Sequence, residues 1–107
     1  MEGKFEVNLK NDTLEVTLKG GLDATNSPGL SDQLKSMVGK NVNAIVFRAG
    51  ELDYIASAGL RVIIFSIQKI LKPGGKAWFI GGQEDVLSVI RMTGLTDSLI
   101  IQDDYDA

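Results

Sequence analysis

Two short apolar runs, residues 44–47 and 77–80, constrain the fold of this chain more than any other feature. Continuously apolar runs of this length are typical of strands that are covered on both faces of a sheet. The segment between them, residues 58–72, places apolar side chains at helical spacing. A buried strand, a helix and a second buried strand form a right-handed parallel crossover. The sequence therefore predicts an α/β fold with parallel strands at the sheet centre.

The first part of the chain predicts a hairpin and then a helix. Residues 5–9 and 14–18 alternate apolar with polar side chains, and residues 11–12 between them have the composition of a tight turn. Ser27 is predicted to cap a helix that has Pro28 at its first position. Because the two alternating strands have one polar face, we expect the helices to pack mainly on the other face of the sheet.

The last part of the chain completes the pattern. Residues 83–92 return to helical spacing, and residues 99–101 predict a short final strand. The predicted order is β-β-α-β-α-β-α-β, which gives a single α/β domain over residues 1–107 with a mixed sheet and an N-terminal hairpin. Residues 102–107 are acidic, and we expect this C-terminal tail to be frayed.

The helix predicted over residues 58–72 has one apolar stripe and a polar side. Phe65 lies on the polar side, between Arg61 and Gln68, as a candidate exposed anchor for a partner. The segment Pro73-Gly74-Gly75 is predicted to end the helix. The stripe consists of Leu60, Ile63, Ile64, Ile67 and Leu71.

Composition excludes several classes of function. The chain has no cysteine and no histidine, which excludes disulfides, zinc sites of the usual ligands and Ser/His/Asp triads. Its net charge of −3 without a basic run predicts neither a nucleic acid nor an anionic membrane as partner. No apolar run is long enough for a signal core or a membrane span, so we expect a cytoplasmic protein that binds another protein.

Ser57 lies where a predicted loop meets the helix that begins at Ala58. As a helix cap it would bond first-turn amides and contribute about 1 kcal/mol, and local chemistry favours this interpretation. As a phosphate acceptor it would place the dianion against free amides and the positive end of the helix dipole. The small side chains of Ala56, Ala58 and Gly59 leave the hydroxyl accessible, and Arg61 lies one turn along.

Two other groups of residues are candidates for chemistry. Asp23 and Asp53 both lie in predicted loops that leave strands, where a pair of carboxylates could serve hydrolysis or hold a metal. Gly81 and Gly82 lie between a strand and a helix, a place where anions bind, but their spacing is not a dinucleotide fingerprint. A small nucleotide-binding or hydrolytic enzyme is the hypothesis that these residues support. Local hydrogen bonding by Asp23 and turn formation by the glycines are the simpler explanations.

Three motifs give the chain a resemblance to a known family. They are Gly21-Leu22-Asp23, residues 52–60 around Ser57, and Pro73-Gly74-Gly75 before a buried strand. With these motifs the chain resembles a STAS domain, specifically an anti-sigma factor antagonist, from about residue 5 to residue 101. The resemblance implies a mixed sheet backed by helices. It also implies that an anti-sigma factor with serine kinase activity phosphorylates a serine at the start of the second helix, which Ser57 matches.

In such a family the protein is a switch between partners. The unmodified protein binds the anti-sigma factor and frees the sigma factor, the phosphorylated protein is released, and a serine phosphatase restores it. The kinase brings the ATP, so the resemblance implies no cofactor, no metal and no catalytic residue in this chain. The predicted partner surface consists of Asp23, Asp53, Tyr54, Ala56, Ser57, Ala58, Gly59, Arg61 and Phe65.

Ala56 and Ala58 depart from the family pattern, which commonly has an aspartate before the serine and a second Ser or Thr after it. This departure supports an alternative, in which the chain is a STAS subunit of a transporter ATPase or of a signalling assembly. In that alternative it docks without phosphorylation.

Overall fold

The computed structural model describes residues 3–105, in which five strands form one mixed sheet and three α-helices pack against it. The strands are β1 Lys4–Lys10, β2 Thr13–Leu22, β3 Val42–Ile55, β4 Leu71–Ile80 and β5 Ile100–Gln102. The helices are α1 Ser27–Lys35, α2 Ser57–Phe65 and α3 Glu84–Met92. A π-helical turn, Ser66–Ile70, follows α2, and a 3₁₀ turn, Leu95–Ser98, follows α3.

The strand order in the sheet is the order along the chain. β1 is antiparallel to β2, whereas the pairs β2–β3, β3–β4 and β4–β5 are parallel. The hairpin turns at Asn11, whose φ of 56° lies in the left-handed region that asparagine tolerates. The predicted mixed sheet with an N-terminal hairpin is therefore confirmed.

The main core lies between the helices and one face of the sheet. In β2, Leu14, Val16 and Leu18 are buried, while the residues between them are partly exposed. In β3 and β4, Phe47 and Phe79 are both fully buried at neighbouring register positions. The predicted packing of helices mainly on one face is confirmed, because this alternation gives β2 one core side and one open side.

β3 is much longer than the predicted run of residues 44–47. It continues to Ile55 because β2 continues with it, so that Leu22 pairs with Ile55. Two register shifts each add one residue to β3. At the second shift Leu52 pairs with Gly20 and Tyr54 pairs with Gly21, so Asp53 between them is the extra residue. The interpretation of Asp53 and Tyr54 as loop residues is therefore wrong.

α1 begins one residue earlier than predicted. Ser27 is its first helical residue rather than its cap, and Asn26 takes the N-cap position. The Ser27 hydroxyl is buried and has no hydrogen-bond partner among the described residues. Pro28 is accordingly the second residue of the helix, where its missing N–H is still not needed.

The helix predicted over residues 58–72 is shorter than expected. α2 ends at Phe65, the π-helical turn follows, and Leu71 already belongs to β4. Pro73-Gly74-Gly75 therefore does not end the helix but lies in a wide bulge of β4, between the Val42–Leu71 and Ala44–Lys76 pairs. The buried residues of α2 and the π-helical turn also differ from the predicted stripe: they are Gly59, Leu60, Val62, Ile63, Ser66 and Ile70.

The C-terminal part follows the prediction more closely. α3 has Glu84 and Asp85 in its first turn and Arg91 in its last, and Gly94 beyond it has a φ of 76°. β5 is shifted one residue and includes Gln102, and Tyr105 packs edge-on against Trp78 at 5.1 Å between ring centroids. This differs from the expectation of a tail frayed from residue 102; residues 106–107 lie outside the described part. No described helix has the length and apolar character needed to cross a bilayer.

Candidate functional site

The Ser57 surface lies at the carboxyl ends of β2 and β3. We use this name for Asp23, Tyr54, Ser57, Ala58 and Arg61. The backbone amide of Ala56 donates to the carbonyl oxygen of Leu22 at 2.8 Å, which ties the start of α2 to the end of β2. Because Leu22 and Ile55 are paired, the residues that follow them emerge side by side at one edge of the sheet.

Ser57 is exposed and its hydroxyl takes no part in capping α2. Ala56 is the N-cap, with extended backbone at φ −98° and ψ 171°, and no side chain caps the helix. The prediction that Ser57 is the cap of a helix starting at Ala58 is wrong by one residue, because β3 extends to Ile55 and leaves a one-residue connection. Within residues 3–105 the hydroxyl has no hydrogen-bond partner, and it lies beside first-turn amides that have no intrahelical acceptor.

Gly59 fixes how closely the first turn of α2 approaches the sheet. A Cβ atom at Gly59 would lie 2.7 Å from Cγ of Leu22 and 3.0 Å from Cγ1 of Ile55. The contact with Leu22 is shorter than Cβ atoms make in proteins, so a larger residue would force Leu22 or the backbone to shift, and the close approach favours glycine. The Gly-Leu sequence after the serine loop thus has a packing reason: Gly59 lets the turn sit on the strand ends, and Leu60 is buried beneath it.

Asp23 begins a short loop held by its own hydrogen bonds. Its Oδ1 accepts from the backbone amides of Thr25 at 2.9 Å and Asn26 at 3.2 Å. Asn26 in turn donates through Nδ2 to the carbonyl of Gly21 at 2.7 Å. The predicted local hydrogen bonding of Asp23 is confirmed. These contacts hold a half-buried carboxylate just beyond β2, next to the start of α2.

Asp53 contacts the connection between β4 and α3. Its Oδ1 accepts a 3.3 Å hydrogen bond from Nε2 of Gln83, which also donates to the carbonyl of Gly50 at 3.1 Å. The two carboxylates thus have different hydrogen-bond partners: Asp23 bonds the amides of its own loop, and Asp53 bonds Gln83. Gln83 was not predicted, and nothing in its spacing marks a contact made across 30 residues.

The remaining predicted residues differ in their exposure. Tyr54 is 57% exposed and is one of the large apolar side chains that the described fold leaves open. Arg61 is exposed one turn after Ser57 and makes no ion pair within residues 3–105. Phe65, expected to be an exposed anchor, is half-buried against the core. The expectation that Phe65 is exposed is therefore wrong, because burial of Val62 and Ser66 turns the helix so that Phe65 lies at the margin of its packed face. Its role in partner binding stays a prediction.

Gly81 and Gly82 have structural roles that compete with anion binding. The amide of Gly81 donates to the carbonyl of Gln102 at 2.9 Å, and its φ is 71°. A Cβ at Gly82 would lie 2.8 Å from atoms of both Leu87 and Phe79. Among the residues that the structure describes, no group of three or more acidic side chains is placed to hold a metal ion.

Comparison with known proteins supports the resemblance found in the sequence. The STAS domain family model matches residues 4–107. BtrV of Bordetella bronchiseptica, assigned as an anti-sigma factor antagonist, is 28% identical over 91 residues, which cover 85% of this chain and 78% of BtrV.

Solved structures share the fold at low sequence identity. The crystal structure of an anti-sigma factor antagonist from Mycobacterium paratuberculosis superposes with a TM-score of 0.83 at 18% identity, covering 98% of this chain and 89% of that one. SpoIIAA in its unphosphorylated form superposes with a TM-score of 0.76 at 13% identity, covering 95% of this chain and 90% of SpoIIAA. Bacillus SpoIIAA in its phosphorylated form superposes with a TM-score of 0.73 at 15% identity, covering 92% of this chain and 90% of that chain.

Proposed function

Because this chain belongs to the STAS domain family, we propose that it is an anti-sigma factor antagonist whose Ser57 surface binds an anti-sigma factor with serine kinase activity. The observation that carries the proposal is the exposed, uncapping hydroxyl of Ser57 at the N-terminus of α2. The protein acts in the cytoplasm as a substrate and a ligand, not as a catalyst. The unmodified form binds the anti-sigma factor, and a serine phosphatase regenerates it from the phosphorylated form.

Phosphorylation releases the partner through charge. A phosphoserine adds about −1.5 to −2 units of charge at neutral pH. At Ser57 this charge is added at the strand ends that also carry Asp23 and exposed Tyr54, within the surface that the partner covers. An unpaired charge that is buried in an interface costs several kcal/mol, so the modified surface no longer holds its partner.

The fold accommodates the same charge without rearrangement. Free first-turn amides of α2 and the positive end of the helix dipole favour an anion at the first helical residue. Arg61, exposed one turn later, is within the spacing at which helical side chains interact. The proposed switch therefore changes what the surface presents and leaves the domain folded.

Ala56 and Ala58 support a second candidate function. The hydroxyl has no acidic residue directly before it and no second hydroxyl after it, which removes local features that a kinase could recognise. In this alternative the same surface docks onto a transporter ATPase or a larger signalling assembly, and no phosphate is added.

The test of the switch is a kinase assay. Each anti-sigma factor with a kinase domain from the source organism is purified and incubated with this protein and Mg-ATP, and the product is mapped by mass spectrometry. We expect one phosphate on Ser57 and none on the Ser57→Ala variant. Ser88→Ala, which removes an exposed serine in α3, is the matched control and should be modified like the wild type. Modification elsewhere, or none with any kinase, rejects the phosphoswitch.

Binding assays separate the two candidates. The wild type and Ser57→Asp are immobilised and titrated with the same purified anti-sigma factors and with the transporter ATPases of the organism. The switch predicts that Ser57→Asp binds the anti-sigma factor at least about tenfold more weakly, which corresponds to about 1.4 kcal/mol. Equal binding of both variants to a transporter ATPase would instead support the docking function.

A further inference from the structure

The outer edge of β1 is an unpaired strand edge seven residues long. β1 pairs with β2 on one side, and within the described residues no strand covers its other side. The opposite edge of the sheet, β5, has only three residues. A strand edge of this length presents a row of N–H and C=O groups that can pair with another strand.

The apolar side chains of β1 are only half-buried. Phe5, Val7 and Leu9 pack against the core from the edge of the sheet, whereas Leu14, Val16 and Leu18 opposite them in β2 are buried. These three apolar side chains are therefore incompletely covered along the same edge where the backbone is unpaired. A strand added beside β1 would bury more of this apolar surface.

Charges along β1 select one occupant, which is a second copy of β1. Pairing two antiparallel copies about a two-fold axis at Asn8 places Glu6 opposite Lys10 of the second copy, twice by symmetry. The same register places Val7 opposite Leu9 of the second copy on the core side. Opposite charges and apolar pairs that face each other across strands are both stabilising.

Neighbouring registers are less favourable. An axis at Val7 places Lys4 opposite Lys10, and an axis at Glu6 places the two copies of Glu6 opposite each other. An axis at Phe5 pairs Lys4 with Glu6 but overlaps only residues 4–6. The axis at Asn8 therefore combines attractive charges with the longest ladder that is free of repulsion.

We propose that the protein forms a symmetric dimer in which two β1 strands pair antiparallel around Asn8, so that the two sheets become one continuous sheet. The two-fold axis is perpendicular to the sheet, which keeps both helix layers on the same side. It also reverses the strand direction, so the two Ser57 surfaces lie at opposite ends of the joined sheet. Both surfaces stay free for partners.

Charge exchange tests this register. Sedimentation velocity over a micromolar concentration series should give a dimer, with twice the chain mass of 11.5 kDa. Glu6→Lys should weaken the dimer at least about tenfold, because it creates two repulsive pairs with Lys10. The double variant Glu6→Lys/Lys10→Glu should restore it. Lys4→Glu is the control and should leave the dimer unchanged.

Cysteine crosslinking gives a second readout, because the chain contains no cysteine. Residues directly opposite in an antiparallel pair have Cβ atoms about 4.5–5.5 Å apart. Mild oxidation should therefore convert Asn8→Cys to a covalent dimer, whereas Lys4→Cys, which has no β1 residue opposite it, should stay monomeric. A monomeric wild type, a Glu6→Lys variant that dimerises like the wild type, or equal crosslinking of both cysteine variants overturns the proposal.

Discussion

Ser57 is exposed at the first helical position of α2, and its hydroxyl does not cap the helix. At the scale of this residue, Ser57→Ala should therefore change the free energy of unfolding by less than about 0.5 kcal/mol, as for surface substitutions away from special features. A cap would lose about 1 kcal/mol. Urea unfolding followed by circular dichroism measures the difference. A loss of 1 kcal/mol or more would mean that the hydroxyl supports the helix.

Gly59 is the residue at which the fold and the candidate site depend on each other. Gly59→Ala would force its Cβ against Leu22, and we expect a loss of about 1–3 kcal/mol from overpacking. Gly29→Ala is the matched control, since that Cβ would meet Phe5 at an ordinary 3.4 Å. Replacing a helical glycine there should stabilise the protein by about 0.5–1 kcal/mol. If urea unfolding shows that the free energy of unfolding falls for Gly59→Ala and rises for Gly29→Ala, the close approach is confirmed. Changes of the same sign in both variants would contradict it.

At the scale of elements, the sequence predicted which segments form strands and helices better than where they end. The run at residues 44–47 identified β3, but β3 continues to Ile55 because β2 pairs with it, and pairing partners are not visible in a local pattern. The helix after Ser57 was predicted by its apolar spacing, yet Gly59 and Ser66 are buried although neither is apolar. Their small side chains allow close packing, which an apolar stripe does not register.

The candidate site was likewise predictable where it depends on local sequence and not where it depends on packing. Asp23 and Ser57 were identified from local chemistry, because a turn acid and a helix-start serine are recognisable along the chain. The orientation of Asp53 toward Gln83 and the half-burial of Phe65 were not predictable. Both depend on how elements distant in the sequence pack together.

At the scale of the whole molecule, the two faces of the sheet are closed in different ways. The helices cover one face, while on the other Val46 and Ile80 are buried outside the main core. Tyr105 lies on that side, against Trp78. The guanidinium carbon of Arg48 lies 5.9 Å from the centroid of the Tyr105 ring. The C-terminal segment thus contributes a small second cluster on the otherwise open face.

The contribution of this second cluster can be measured directly, because Trp78 is the single tryptophan. Tyr105→Ala should shift Trp78 emission to the red and lower the free energy of unfolding by about 1–2 kcal/mol, through loss of aromatic and cation–π contacts. Tyr54→Ala removes an exposed tyrosine elsewhere and should leave the emission unchanged. Identical emission of the wild type and Tyr105→Ala would show that the segment does not rest on Trp78 in solution.

The close seating of Gly59 on Leu22 has a consequence for timing. A turn with no room for an added carbon atom has little freedom to slide or tilt, so it is suited to carry a chemical label rather than to move. In the proposed switch no slow structural relaxation then separates labelling from release. The response time is set by the rates of phosphorylation and dephosphorylation and by the lifetime of each complex, and the domain itself adds no delay.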